Sequence, residues 1–118
     1  MDASSIESIL QQHTGDAILI ADRAGNITFW SDGAEAMLGF SRAQALGASL
    51  DLIIPAHLRE RHWAGFAGVI SSGVSPSPAW VKTPVLHADG TVARMAITVV
   101  LLKQGASACG VLAILSPL

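Results

Sequence analysis

Among the residues of this chain able to do chemistry, His62 has the most pointed setting. It lies in IIPAHLRERHWAGFAGVISSG, residues 53–73, which Pro55 opens and Gly73 closes. Leu58, His62, Phe66, Val69 and Ile70 fall at helical spacing and so share one face. A histidine inside such a stripe is either a packed core residue or a group presented to something bound beside the helix. Arg59, Glu60 and Arg61 fall on other faces and are expected in water. Gly65 and Gly68 weaken the helix by up to about 1 kcal/mol each relative to Ala. They are expected to permit close approach of a neighbour and to make local motion cheaper.

Other chemistry is poorly supported. The histidines at 13, 57, 62 and 87 show no zinc-ligand spacing with carboxylates or thiols, and His57 and His62 fall on different helix faces. No G-x-S-x-G elbow occurs, and Gly65-Phe66-Ala67-Gly68 follows no strand, so it is not a dinucleotide loop. An enzyme is not expected. Cys109 is the only cysteine, which excludes an internal disulfide and a cysteine-rich metal site and fits a reducing compartment. On a closing strand it reads as a buried small hydrophobe. Trp30, Trp63 and Trp80 occur in a chain without tyrosine; they either line a pocket or pack a core or dimer face. Trp63 points about 100° around the helix from His62, which places it at an edge or under a loop rather than stacked on the imidazole.

The elements that must position these residues form one compact domain of 118 residues. Hydrophobic residues make up 51%, enough for a core, whereas charged residues make up only 14%. Some apolar surface is therefore expected to be covered by a ligand, a partner subunit or a neighbouring domain. The net charge is −2 without a basic run, so direct nucleic-acid binding is not expected. The N-terminus is acidic and polar, unlike a signal peptide, and the longest apolar run, Met95–Leu102, is too short to span a bilayer. A cytoplasmic domain without membrane insertion follows. The stop at Ser116-Pro117-Leu118, straight after an apolar strand, suggests a domain of a longer protein.

In order, Ser4–His13 reads as a short amphipathic helix with a Ser4/Glu7 capping box, within a flanking region 1–14. The main domain is 15–118. Ala17–Ala21 and Ile27–Trp30 are strands joined by a turn at 22–26. Asp32 is a plausible N-cap for helix Gly33–Leu38, and Ser41 caps Arg42–Leu46. The principal helix spans roughly His57–Ser72. After the extended linker 74–78, Ala79–His87, Thr91–Lys103 and Ala108–Leu115 are strands; Pro84 assigns the first to an edge or a bulge. This order predicts an α+β fold, with a five-stranded antiparallel sheet and the helical connection over one face. A pocket is left between the long helix and the sheet.

The stretch DAILIADRAGNITFWSDGAEAMLGFSRAQALG, Asp16–Gly47, resembles the opening signature of a PAS domain. HADGT around Asp89-Gly90 is similar to the family's late K-D-G turn, and GVLAILSPL to its last strand. Asp22 sits where a PAS strand often ends, its carboxylate able to bond the following turn. The resemblance implies a sensory and dimerisation module that binds a small molecule between helix and sheet and signals to an effector domain outside this segment. It implies no enzyme. With the apolar stripe, it points to a pocket of Trp30, Met37, Leu58, His62, Phe66, Trp80, Met95 and Ile97. The helix Ser4–His13, together with the sheet, is expected to form a homodimer.

P-x-x-L-R-x-x-H, Pro55–His62, also resembles haem-binding PAS sensors. There, a histidine on this helix is the proximal iron ligand. In that alternative His62 binds haem b for gas or redox sensing, although the gas-binding arginine of some such sensors has no match in Ala79-Trp80-Val81-Lys82. Met95 is either a thioether ligand or core. Light-sensing flavin chemistry is not expected, because it needs a cysteine between Asp16 and Ile70. The remaining alternative is a ligand-free interaction module with a filled core.

Overall fold

The computed structural model describes residues 15–74 and 80–118. The predicted helix Ser4–His13 and the linker beyond Val74 lie outside them. Strands β1 (Ala17–Asp22) and β2 (Ile27–Trp30) come first. Helices α1 (Asp32–Leu38) and α2 (Arg42–Ala45) follow, then two 3₁₀ turns, Leu50–Ile53 and Ala56–Leu58. Helix α3 is Arg59–Ser72, and β3 (Val81–Leu86), β4 (Val92–Gln104) and β5 (Ser107–Pro117) close the fold. The sheet order is β2-β1-β5-β4-β3, with every neighbour antiparallel. The expected α+β architecture is therefore present. The early hairpin joins the late meander through β1 and β5, where Ile18 faces Ile114 and Ile20 faces Leu112.

Alternation along the strands sorts the sheet into two faces. Leu19, Val111, Ala113 and Leu115 turn toward the helical connection and share a core with Trp30, Leu38 and Ala34. Ile18, Leu102, Leu112 and Ile114 pack together on the other face. Burying a large apolar side chain fully contributes roughly 1.5–3 kcal/mol. Leu19, Leu115, Trp30 and Leu38 are all fully buried. Helix α3, by contrast, has no fully buried residue. The sheet and α1 therefore carry the stability, and α3 rests on them more loosely.

Local chemistry sets the helix boundaries. Ser31, not Asp32, caps α1: its hydroxyl accepts from the Ala34 amide at 3.1 Å, and from the Ile18 amide of β1 at 2.9 Å. Ser31 is extended and reaches both, so the cap also ties helix to sheet. Ser41 and Gln44 form a reciprocal capping box on α2. The predicted His57–Ser72 helix is tightened at its start into the 3₁₀ turn Ala56–Leu58 and becomes α-helical at Arg59, a common device at helix N-termini. It closes at Gly73, left-handed with φ 65°. Pro84 stands in the edge strand β3, opposite Arg94, where a sheet tolerates a residue without an N–H.

Candidate functional site

Helix α3 is anchored at one end. Asp51, in the preceding 3₁₀ turn, accepts the Trp63 indole N–H at 2.8 Å. Arg59 donates to the carbonyls of Ile54 (3.1 Å) and Asp51 (3.2 Å). Its guanidinium was expected in water but is half-buried, held against these two carbonyls of the 3₁₀ turn and its C-terminal cap. The Trp63 ring lies under the β1–β2 turn, in the place a Cβ on Gly25 would occupy. Gly25 has φ 84°, and Asp22 braces the turn by accepting from the amides of Ala24 (2.9 Å) and Asn26 (3.0 Å). Beyond Trp63 the helix has only Phe66, Val69 and Ile70 packed partly against the core. Among the described residues, no atom beyond the helix's own backbone and the flanking residues lies within 4 Å of a Cβ built on Gly65 or Gly68, so neither glycine serves close packing there, contrary to expectation.

A cavity of about 450 Å³ opens between this helix and the sheet. Its floor is Leu19, Ile97, Val99, Val111, Ala113 and Leu115. Phe66, Val69 and Leu58 form the opposite wall, and Ile53 and Ile54 one end. Val81, Thr83 and Pro84 of β3 contribute the other side. The lining is almost wholly apolar; His62, Thr83 and Arg61 supply its polar side chains. Binding pockets for small organic molecules run to about 300–1,000 Å³ with this kind of lining.

His62 lies on the cavity wall, half-buried. Its ring meets Trp63 edge-on at 4.8 Å and Phe66 at 6.0 Å. The imidazole and indole therefore touch, in a T-shaped rather than a stacked pair, while Trp63 occupies the expected place under a loop. His62 Nδ1 is buried without a hydrogen-bond partner among the described residues. Burial pushes the imidazole below its ordinary pKa, and the Asp51 carboxylate opposes that only in part. The neutral ring dominates at pH 7.

A histidine that ligates a metal almost always donates its second ring N–H to a carbonyl, carboxylate or water that fixes the ring. Among the described residues Nδ1 has no such acceptor, and two aromatic rings flank the imidazole. These residues do not fit haem as arranged. Among the described residues no cluster of three or more His, Cys, Asp or Glu could hold a metal ion.

Of the other sequence-predicted site residues, Leu58, Phe66 and Ile97 line the cavity with His62. Trp30, Met37, Trp80 and Met95 are not among its lining residues. Trp30 is fully buried, its indole donating to the Phe40 carbonyl at 2.9 Å, which fastens the chain after α1. Met37 packs partly buried against the core. Met95 is buried in the core opposite Thr83. Trp80 is 46% exposed just before β3. Cys109 is exposed rather than buried, because the register with β4 shifts between Leu102 and Lys103 and leaves Cys109 as the extra residue between the buried Ala108 and Gly110. Arg61, Thr83, Val99 and Ala113 were missed. The two-residue period that marks Ile97 also marks Val99, so that signal was available; Arg61 and Thr83 gave none.

A family model described as PAS fold matches residues 6–117, and the chain belongs to that family of sensory and signalling modules. An uncharacterized protein of Azorhizobium caulinodans is 36% identical over 86 residues, 71% of this chain. The chain spans 12% of that relative's length. The PAS domain of a Colwellia psychrerythraea protein superposes with a TM-score of 0.80 at 20% identity, over 99% of this chain and 98% of that one. The PAS domain of the Cronobacter turicensis RpfR quorum-sensing receptor, in complex with C12:0, gives 0.71 at 15% identity, over 88% and 94%. Among the described residues no helix is long and apolar enough to cross a membrane.

Proposed function

We propose that this chain is the ligand-sensing module of a longer signalling protein, and that it binds a small apolar or amphipathic molecule between α3 and the sheet. The cavity of about 450 Å³ carries this reading. An apolar space of this size would leave its lining without packing partners if nothing occupied it. The RpfR domain, of the same fold, is in complex with C12:0, which supports an occupant with an apolar chain. The ligand acts by favouring one packing of α3. That helix is anchored through Asp51 and Trp63, has no fully buried residue and carries two unpacked glycines. The shift it produces is bounded by its differential affinity for the two packings.

The effector lies outside these residues, the setting is cytoplasmic, and two copies pair through the region 1–14 and the sheet. Light scattering that gives a monomer mass for the whole chain contradicts the pairing. The ligand reading is tested by thermal unfolding with dodecanol and other straight-chain amphiphiles. A ligand at a hundred times its Kd stabilises by about 2.7 kcal/mol, which for a domain this size is a rise in Tm of about 10 °C. No shift with any amphiphile, together with a purified protein free of extractable small molecules, contradicts it.

A further inference from the structure

Resting on the ligand reading above, we infer that the occupant is an anionic amphiphile whose acidic head is held by Arg61 at the cavity mouth. Among the described lining residues Arg61 is the only charged one. It is exposed and makes no hydrogen bond or ion pair to the described residues. Arg59, on the same helix, is committed to two carbonyls. Gly65 and Val81, also exposed lining residues, mark the same opening between α3 and the edge strand β3. Among the described residues no acidic side chain lines the cavity. The polar groups a ligand head can meet are therefore a free guanidinium, a neutral imidazole and the Thr83 hydroxyl, while its tail lies over Leu115, Ala113 and Val99. A guanidinium pairs a carboxylate or a phosphate through parallel N–H bonds and repels an amine. The charge sits at the rim and the apolar wall within, so head and tail are sorted by position.

Isothermal titration of the whole chain with dodecanoate, dodecanol and dodecylamine, each below its aggregation concentration, tests this. Dodecanoate is expected to bind about tenfold more tightly than dodecanol, the equivalent of about 1.4 kcal/mol, with the amine weakest. Arg61→Gln is expected to erase that preference. Lys103→Gln, at the far end of β4 and opposite Ala108, neither of them a lining residue, is expected to leave the preference intact. Equal affinities for the acid and the alcohol in the natural protein, or a preference that survives Arg61→Gln, overturn the anionic assignment while the cavity reading stands. Binding of none of the three overturns both.

Discussion

The Trp63 indole N–H donates to Asp51 Oδ1 at 2.8 Å across a separation of twelve residues, and this bond fixes the helix that walls the cavity to the turn before it. A hydrogen bond to a charged group contributes about 1.5–3 kcal/mol. Here both partners are only half-buried. Trp63→Phe is therefore expected to cost about 1–2 kcal/mol in urea unfolding, and Asp51→Ala about as much. Because the two share one bond, the double variant is expected to cost clearly less than the sum. Strict additivity would show that the bond does not hold α3.

Gly25 and Trp63 form a second couple. An alanine at position 25 must adopt φ near 84° and place its methyl within the indole ring. The left-handed backbone alone costs about 1–2 kcal/mol, and the clash adds to it. Gly25→Ala is expected to lower Tm strongly in the natural chain. In a Trp63→Leu background, its cost should fall to the backbone part alone. An equal cost in both backgrounds would mean that the ring does not fill this place.

The glycines of α3 separate stability from binding. Gly65→Ala and Gly68→Ala each meet open space, so each is expected to stabilise by up to about 1 kcal/mol. Only Gly65 lines the cavity. Ligand affinity is therefore expected to change with Gly65→Ala and to stay constant with Gly68→Ala. Destabilisation by either variant in thermal unfolding would show that the glycines have a packing role.

Much of the fold was legible because its signals are local. Short apolar and β-branched runs mark β1, β4 and β5, Pro84 marks an edge, and Gly39, Gly73 and Gly90 punctuate. The stripe Leu58–His62–Phe66 located half the cavity wall for the same reason. What could not be read is set by tertiary approach. Trp30 and Trp63 are equally aromatic in sequence, yet one is sealed under the Phe40 carbonyl and the other props up a turn. Nor does spacing tell that Met95, beside Ile97 on β4, faces core while Ile97 lines space. Arg61 reads as a solvated cation, and only the opening beside Val81 gives it a role.

His62 makes stability depend on pH. Its folded pKa lies below the ordinary value of 6.5, so the unfolded chain takes up the proton first. The neutral ring's contribution is complete above that range. It is lost as pH falls through 6.5 toward the lower folded value. Tm is therefore expected to drop over this window, and His62→Leu is expected to flatten that part of the profile. Because Nδ1 is buried without a partner, His62→Leu should be neutral or stabilising at pH 7. A strong loss of stability in His62→Leu would show that the imidazole has an unseen partner.

Whether the space between α3 and the sheet receives the ligand is tested most directly at Ala113, on its floor. A phenylalanine there projects into the cavity without touching α3's anchor at Asp51. Titration calorimetry with dodecanol on the natural chain and on Ala113→Phe, both checked for cooperative unfolding, gives the comparison. The account predicts binding by the natural chain and at least about a tenfold loss in the variant, some 1.4 kcal/mol. Equal affinity in a folded Ala113→Phe variant would contradict it.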